Sequence, residues 1–194
     1  MINLQLPIQE DAIRELKVGD EVLISGTMIT ARDAAHKYLI EEKPDFIRPF
    51  LENSLIYHCG PVVKKTDDEW SFVAAGPTTS IREEPYEGKI IENYKVRGVI
   101  GKGGMGDKTL AALHDHGSVY LHAIGGLASY LAKTVKSVQD VFMLEEFGVP
   151  EAMWVIEVEE FPAVVTMDSH NFSLHNRIKD HSASVAQKLI HPVS

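Results

Sequence analysis

Cysteine is nearly absent from this chain: Cys59 stands alone among 194 residues. One thiol cannot close a disulfide within the chain. Nor can it supply the sulfurs that an iron–sulfur cluster or a structural zinc requires, so no metal ligands are assigned here. A reducing, cytoplasmic home is the expectation that follows. Positive charge is also scarce: 19 Lys and Arg face 28 Asp and Glu, a formal net charge of −9 at pH 7. Such a surface repels nucleic acid and anionic membrane, and neither is expected as a partner. Long apolar runs are missing too, and no early stretch has the length of a signal peptide or membrane span. Repeats, low-complexity segments and linkers are not found either. One domain over residues 1–194 is therefore expected.

What is present is an ordinary globular composition, 44% hydrophobic and 24% charged, enough to bury a substantial core. Apolar runs predict strands over 21–25, 55–58, 71–75, 96–100, 118–123, 138–144, 154–158 and 163–167. Helical composition and spacing mark 31–41, 85–94, 107–116, 127–134 and 174–189. Strands and helices alternate through the middle and meet at glycine-rich turns, which predicts an α/β fold with parallel pairing. Successive strands early and late add a mixed sheet or a second small one.

The stretch Ala75-Gly76-Pro77-Thr78-Thr79-Ser80-Ile81-Arg82 carries the densest chemistry. A turn signal is followed by three hydroxyls and a permanently charged guanidinium, a plausible seat for a small anion. Ser80 with Glu83 also fits a capping box, in which the serine caps a helix and the glutamate reaches back. Two further turns repeat the theme. Arg32 follows Gly26 to Ala31, and Lys102 sits among Gly101, Gly103 and Gly104. In open α/β sheets ligands bind outside the carboxyl ends of strands. Three parallel neighbouring strands would therefore gather all three cations at one edge. Taken singly, each is as well explained as a solvated charge near a helix end.

Gly101-Lys102-Gly103-Gly104-Met105-Gly106 matches G-x-G-x-x-G, but it lies mid-chain and the following strand ends in glycines without an acid. Nucleotide binding is thus disfavoured. His36 lies one helical turn from Arg32 and is placed to orient it. His114 and His116 read as structural or surface groups, and His170 and His175 lack a third ligand at metal spacing. Cys59 reads as a small buried residue.

Taken together, Gly26-Thr27 through Ala31-Arg32-Asp33-Ala34-Ala35-His36-Lys37, Tyr57-His58-Cys59-Gly60-Pro61, Gly76-Pro77-Thr78-Thr79-Ser80 with Arg82, and Gly101-Lys102-Gly103-Gly104-Met105 resemble the C-terminal, or β, part of class I iron–sulfur fumarate hydratases. The related L-tartrate dehydratase β subunits share the pattern. The motifs fall in the right order over roughly residues 18–161; Glu83 stands where many members carry methionine. The resemblance implies a swivelling β/β/α fold and a hydro-lyase that interconverts fumarate and L-malate. It implies that Arg32, Arg82 and Lys102, with Thr79, hold the carboxylates of a small dicarboxylate. It also implies that Thr78 is the base for the C3 proton of malate. The [4Fe–4S] cluster of such enzymes sits on three cysteines of the α part, which this chain cannot supply. A fumarase α subunit is therefore the implied partner in a hetero-oligomer, with the site shared between the two. L-Tartrate dehydration is the alternative chemistry, and a non-catalytic dicarboxylate-binding assembly module the alternative class.

Overall fold

The computed structural model describes residues 1–190; the last four residues of the expected 1–194 span lie outside the described residues. The strands are β1 (Ile2–Gln5), β2 (Glu21–Thr30), β3 (Leu55–Tyr57), β4 (Val62–Thr66), β5 (Glu69–Ala74), β6 (Gly98–Gly101), β7 (Val119–His122), β8 (Val135–Phe142) and β9 (Met153–Met167). The helices are α1 (Glu10–Arg14), α2 (Asp33–Glu41), α3 (Arg48–Leu51), α4 (Glu84–Tyr94), α5 (Asp107–His116), α6 (Ala128–Thr134), α7 (Leu144–Phe147) and α8 (Leu174–Ile190). Among the described residues no helix is long and apolar enough to cross a membrane.

The mixed α/β architecture expected from the sequence is present. β2, β3, β6 and β7 pair in parallel, in that order. β9 runs antiparallel to β7 and also to β2, so the pairings close into a ring. β1 and β8 flank it. Parallel strands buried on both faces alternate their side chains between two cores. Leu55 and Tyr57 of β3, and Trp154, Ile156 and Val158 of β9, point to one core. Ile56, Met153 and Val155 point to the other, where α2, α4 and α5 contribute Leu39, Ile90, Ile91 and Leu113. Each such side chain contributes about 1.5–3 kcal/mol on leaving water.

Two expectations are corrected. Residues 154–158 and 163–167 are not separate strands but parts of the 15-residue β9. The strand expected over 71–75 is present but lies outside the main sheet. β5 pairs only with β4, in a two-stranded hairpin, and its side chains alternate exposed and half-buried. Trp70 and Phe72 turn their rings edge-on to Trp154, which fastens the hairpin to the core.

Candidate active site

Because β2, β3, β6 and β7 run parallel, their carboxyl ends share one edge. Arg32 lies just beyond β2, His58 and Cys59 follow β3, Lys102 follows β6, and His122 ends β7. Arg82 reaches this edge by another route. The ladder between β3 and β6 stops at Tyr57 and Ile100, and the backbone groups beyond it need partners. Residues 77–80 supply them. Pro77 bridges Cys59 and Thr79 bridges Lys102. The Thr78 N–H donates to the His58 carbonyl at 2.7 Å, the Lys102 N–H to Thr78 at 3.1 Å, and the Ser80 N–H to Lys102 at 3.0 Å. The three cations therefore do not come from three neighbouring strands: Arg32 and Lys102 flank β3, and Arg82 arrives with the wedge inserted beside it.

The side chains follow from this backbone. The Thr78 hydroxyl donates to the His58 carbonyl at 3.0 Å, which leaves its oxygen lone pairs free. Thr79 is exposed. The Arg32 guanidinium pairs with Glu151 at 3.2 Å and lies against Gly60, where a β-carbon would sit 2.6 Å from Nη1. Only glycine leaves room for that arginine. Arg82 pairs with Asp33, the residue after Arg32. Among the described residues Lys102 makes no ion pair with a carboxylate. The edge thus holds one half-buried cation without a counterion and two guanidiniums with donors to spare.

Beneath it runs a fully buried hydrogen-bonded chain. His36 Nδ1 meets the Arg32 carbonyl at 2.8 Å, and His36 Nε2 meets Glu87 Oε2 at 3.0 Å. His58 Nε2 meets the same oxygen at 3.1 Å and His58 Nδ1 meets Ser80 Oγ at 3.0 Å. The Tyr120 hydroxyl donates to Ser80 Oγ at 2.8 Å and accepts the Gly104 N–H at 3.3 Å. Ser80 is therefore not a helix cap, because its hydroxyl turns inward to this chain. Burial disfavours charge on Glu87, but the two histidines outweigh it and bring the carboxyl down to about 2. Burial likewise opposes charge on His36; the charge and hydrogen bond of Glu87, with Glu83 behind, raise it above the ordinary value. For His58 burial prevails and lowers it.

The residues singled out from the sequence, Arg32, Thr78, Thr79, Arg82 and Lys102, lie along this one edge, and His36 lies beside Arg32. Glu87, Tyr120 and Glu84 were not singled out. The signal for Glu87 was legible: an acid on the same α4 stripe as Ile90, Ile91 and Tyr94, all buried. Glu84 settles the glycine motif. Its carboxylate accepts the N–H groups of Gly106, Lys108 and Thr109 and the Thr109 hydroxyl, at 2.7–3.2 Å. The α5 N-terminus, where a nucleotide phosphate would bind, is filled by this chain's own acid. His122 was also missed. It is half-buried, its Nδ1 has no partner among the described residues, and its ring lies 6.2 Å from that of His175.

His36, His58 and Glu87 bring potential metal-ligating atoms within 4.8 Å of one another, but the contacts among them are hydrogen-bond lengths. An iron–sulfur cluster does not fit either. Cys59 is fully buried, and burial pushes its thiol up to about 12, far from the thiolate a cluster needs.

A partly parallel sheet closed into a ring, with cations and hydroxyls gathered at its carboxyl edge, defines an α/β domain with a positive, hydroxyl-lined rim on an acidic body. The chain belongs to the Fumarase C-terminus family, whose sequence pattern matches residues 1–178. It is 53% identical over all 194 residues to a protein of Geobacillus stearothermophilus provisionally named a class I fumarate hydratase, and spans 37% of that protein's length. It is 45% identical over 169 residues to a protein of Methanocaldococcus jannaschii provisionally named an L(+)-tartrate dehydratase subunit beta, covering 86% of this chain and 87% of that one. With the L(+)-tartrate dehydratase subunit beta of Escherichia coli K12 it shares 38% identity over 175 residues, 88% of this chain and 85% of that one.

Proposed function

We propose that this chain is the β part of an iron–sulfur hydro-lyase that interconverts L-malate and fumarate at a site shared with a cluster-bearing α partner. The observation that carries this reading is the wedge of residues 77–80. It brings Thr78 and Arg82 to the edge that already holds Arg32 and Lys102. Two guanidiniums and an ammonium suit the two carboxylates of a small dicarboxylate, with the exposed Thr79 hydroxyl beside them. Holding both ends fixes the carbon between them against Thr78.

In this reading Thr78 first gives up to solvent at the rim the hydroxyl proton it donates to the His58 carbonyl, then takes the C3 proton of malate and returns to the hydroxyl. A threonine hydroxyl is a very weak acid, so it serves as a base only where positive charge steadies the alkoxide. Arg82 and Lys102 supply that charge, and the Thr78 backbone is fixed on both sides. The cluster belongs to the partner, because the single buried thiol here does not fit one. L-Tartrate is the second substrate reading, favoured by the 45% and 38% identities to proteins named for tartrate dehydration.

Anaerobic purification of the tagged chain from its own cells tests both. A brown complex that dehydrates L-malate faster than L-tartrate is the expected result. Faster tartrate turnover would replace the substrate, and a complex inactive on both would overturn the hydro-lyase reading.

A further inference from the structure

Counting protons along the buried chain assigns the charge on each member. His36 faces an acceptor at each nitrogen, the Arg32 carbonyl and the Glu87 carboxylate, so both nitrogens carry hydrogen and the ring is an imidazolium. From the other end, the Gly104 N–H donates to Tyr120 and Tyr120 donates to Ser80. The Ser80 hydroxyl then has its own proton for His58 Nδ1, and His58 donates from Nε2 to Glu87. His58 is thus neutral. The two runs of donors converge on one oxygen of Glu87. With both His36 nitrogens protonated, no lone pair remains there for a metal.

This chain joins the three segments that carry the proposed site. It begins at the carbonyl of Arg32, passes through Ser80 in the 77–80 wedge, and ends at Gly104 in the loop that holds Lys102. His58 also anchors Thr78, whose N–H and hydroxyl both donate to the His58 carbonyl. We propose that His36, Glu87, His58, Ser80 and Tyr120 are positioning residues, and that the proton stored on His36 locks Arg32, Thr78 and Lys102 into one arrangement. The kinetic consequences rest on the dicarboxylate reading; the charge assignment and the coupling of segments do not.

The groups facing His36 are Glu87 from α4, Glu83 from the turn at Ser80–Glu83, His58 after β3, and the Arg32 backbone of its own segment. Arg82 and Glu151 act on Glu83 from the rim. The two acids hold the His36 proton; burial and the neutral His58 do not.

The test is ¹⁵N-histidine NMR on the full chain, with Glu87→Gln and Ser80→Ala as variants. In the wild type at about pH 7.5, where an ordinary histidine is mostly neutral, His36 is expected to show two protonated nitrogens and His58 one. Glu87→Gln is expected to neutralise His36 and to shift the amide resonances of Arg32, Thr78 and Lys102 together. Ser80→Ala cuts the chain on the far side. It should leave His36 charged while moving Thr78 and Lys102.

In the native complex, kcat/KM for the dicarboxylate is expected to fall about 10- to 100-fold in either variant. The deficit of Glu87→Gln relative to the wild type should narrow as pH rises through the raised value of His36, where the wild type loses the same proton. A neutral wild-type His36 at that pH overturns the proposal whatever the activity. So do amide shifts confined to the mutated residue, or kinetics unchanged in both variants. If the wild-type complex turns over no dicarboxylate, the functional reading fails alone, and the ring and amide resonances still decide this one. Should Glu87→Gln not fold, the wild-type His36 ring decides the charge assignment and the Thr78 and Lys102 amides of Ser80→Ala decide the coupling.

Discussion

Gly101 decides whether the buried chain can exist. A β-carbon there would overlap Ser80 Oγ and come within 3.2 Å of the Tyr120 hydroxyl and 3.3 Å of His58 Nδ1. Gly101→Ala is expected to cost about 1–3 kcal/mol by overpacking, lowering Tm by roughly 2–4 °C per kcal/mol in a chain of this size. Gly125 is the control. Its β-carbon would meet only Lys102 Cδ, at 3.7 Å, so Gly125→Ala should stay within about 0.5 kcal/mol. Equal melting of the two variants would mean that the packing around Ser80 is looser than described. The His36–Glu87 pair sets a pH window at the same scale. His36 is raised from 6.5, so its stabilisation is complete below 6.5 and fades as pH climbs through the raised value. Glu87 is lowered from 4.5 to about 2, so its share is complete above 4.5 and fades as pH falls toward 2. The stability difference between wild type and Glu87→Gln, from urea unfolding, should therefore be greatest between 4.5 and 6.5. A difference that keeps growing above that window would contradict the charge assignment.

At the scale of elements, α5 depends on an acid borrowed from α4. Glu84 satisfies the first N–H groups of α5 and places negative charge at the positive end of the helix dipole. Glu84→Ala is expected to cost about 2 kcal/mol, read as a fall in Tm, and to loosen the 101–106 loop in hydrogen exchange. An unchanged exchange rate there would separate the cap from the loop. The same elements divide what the sequence could say from what it could not. The strands at 55–58, 96–100 and 118–123 and the helices at 107–116 and 174–189 were legible because apolar period and local turn chemistry sufficed. β9 was divided in two because Glu159, Glu160 and Pro162 interrupt its apolar run. The strand carries on through them, with Glu160 at φ 53° and Pro162 in register with Leu23, because β2 supplies its partner on both sides of the break. The 77–80 wedge was not legible at all. Its hydrogen bonds go to residues about 20 positions away on either side, His58 and Lys102, and no local pattern encodes that. Ser80 misled for the same reason. A serine followed three residues later by glutamate looks like a cap until a glycine 21 positions on leaves room for its hydroxyl to turn inward.

The whole molecule concentrates positive charge against its own field. A chain of net charge −9 draws an anion only where local cations overcome the rest, and the carboxyl edge of the ring-shaped sheet is where Arg32, Arg82 and Lys102 meet. That edge was readable as a set of residues from family resemblance and recurrence of motif. Its construction, two strand ends and an inserted wedge above a buried proton-holding chain, was not, because closure of the sheet by β9 joins segments more than 100 residues apart. The central claim is that this edge supplies carboxylate binding and proton transfer to a hydro-lyase. Thr78→Ala in the complex with its partner tests it most directly, with turnover and dicarboxylate affinity measured on the same preparation. Turnover is expected to fall by about 100-fold or more, the scale of a lost general base, with affinity changed less than about threefold because the cations are untouched. Turnover equal to the wild type would remove Thr78 from the chemistry and leave the edge without its proton acceptor.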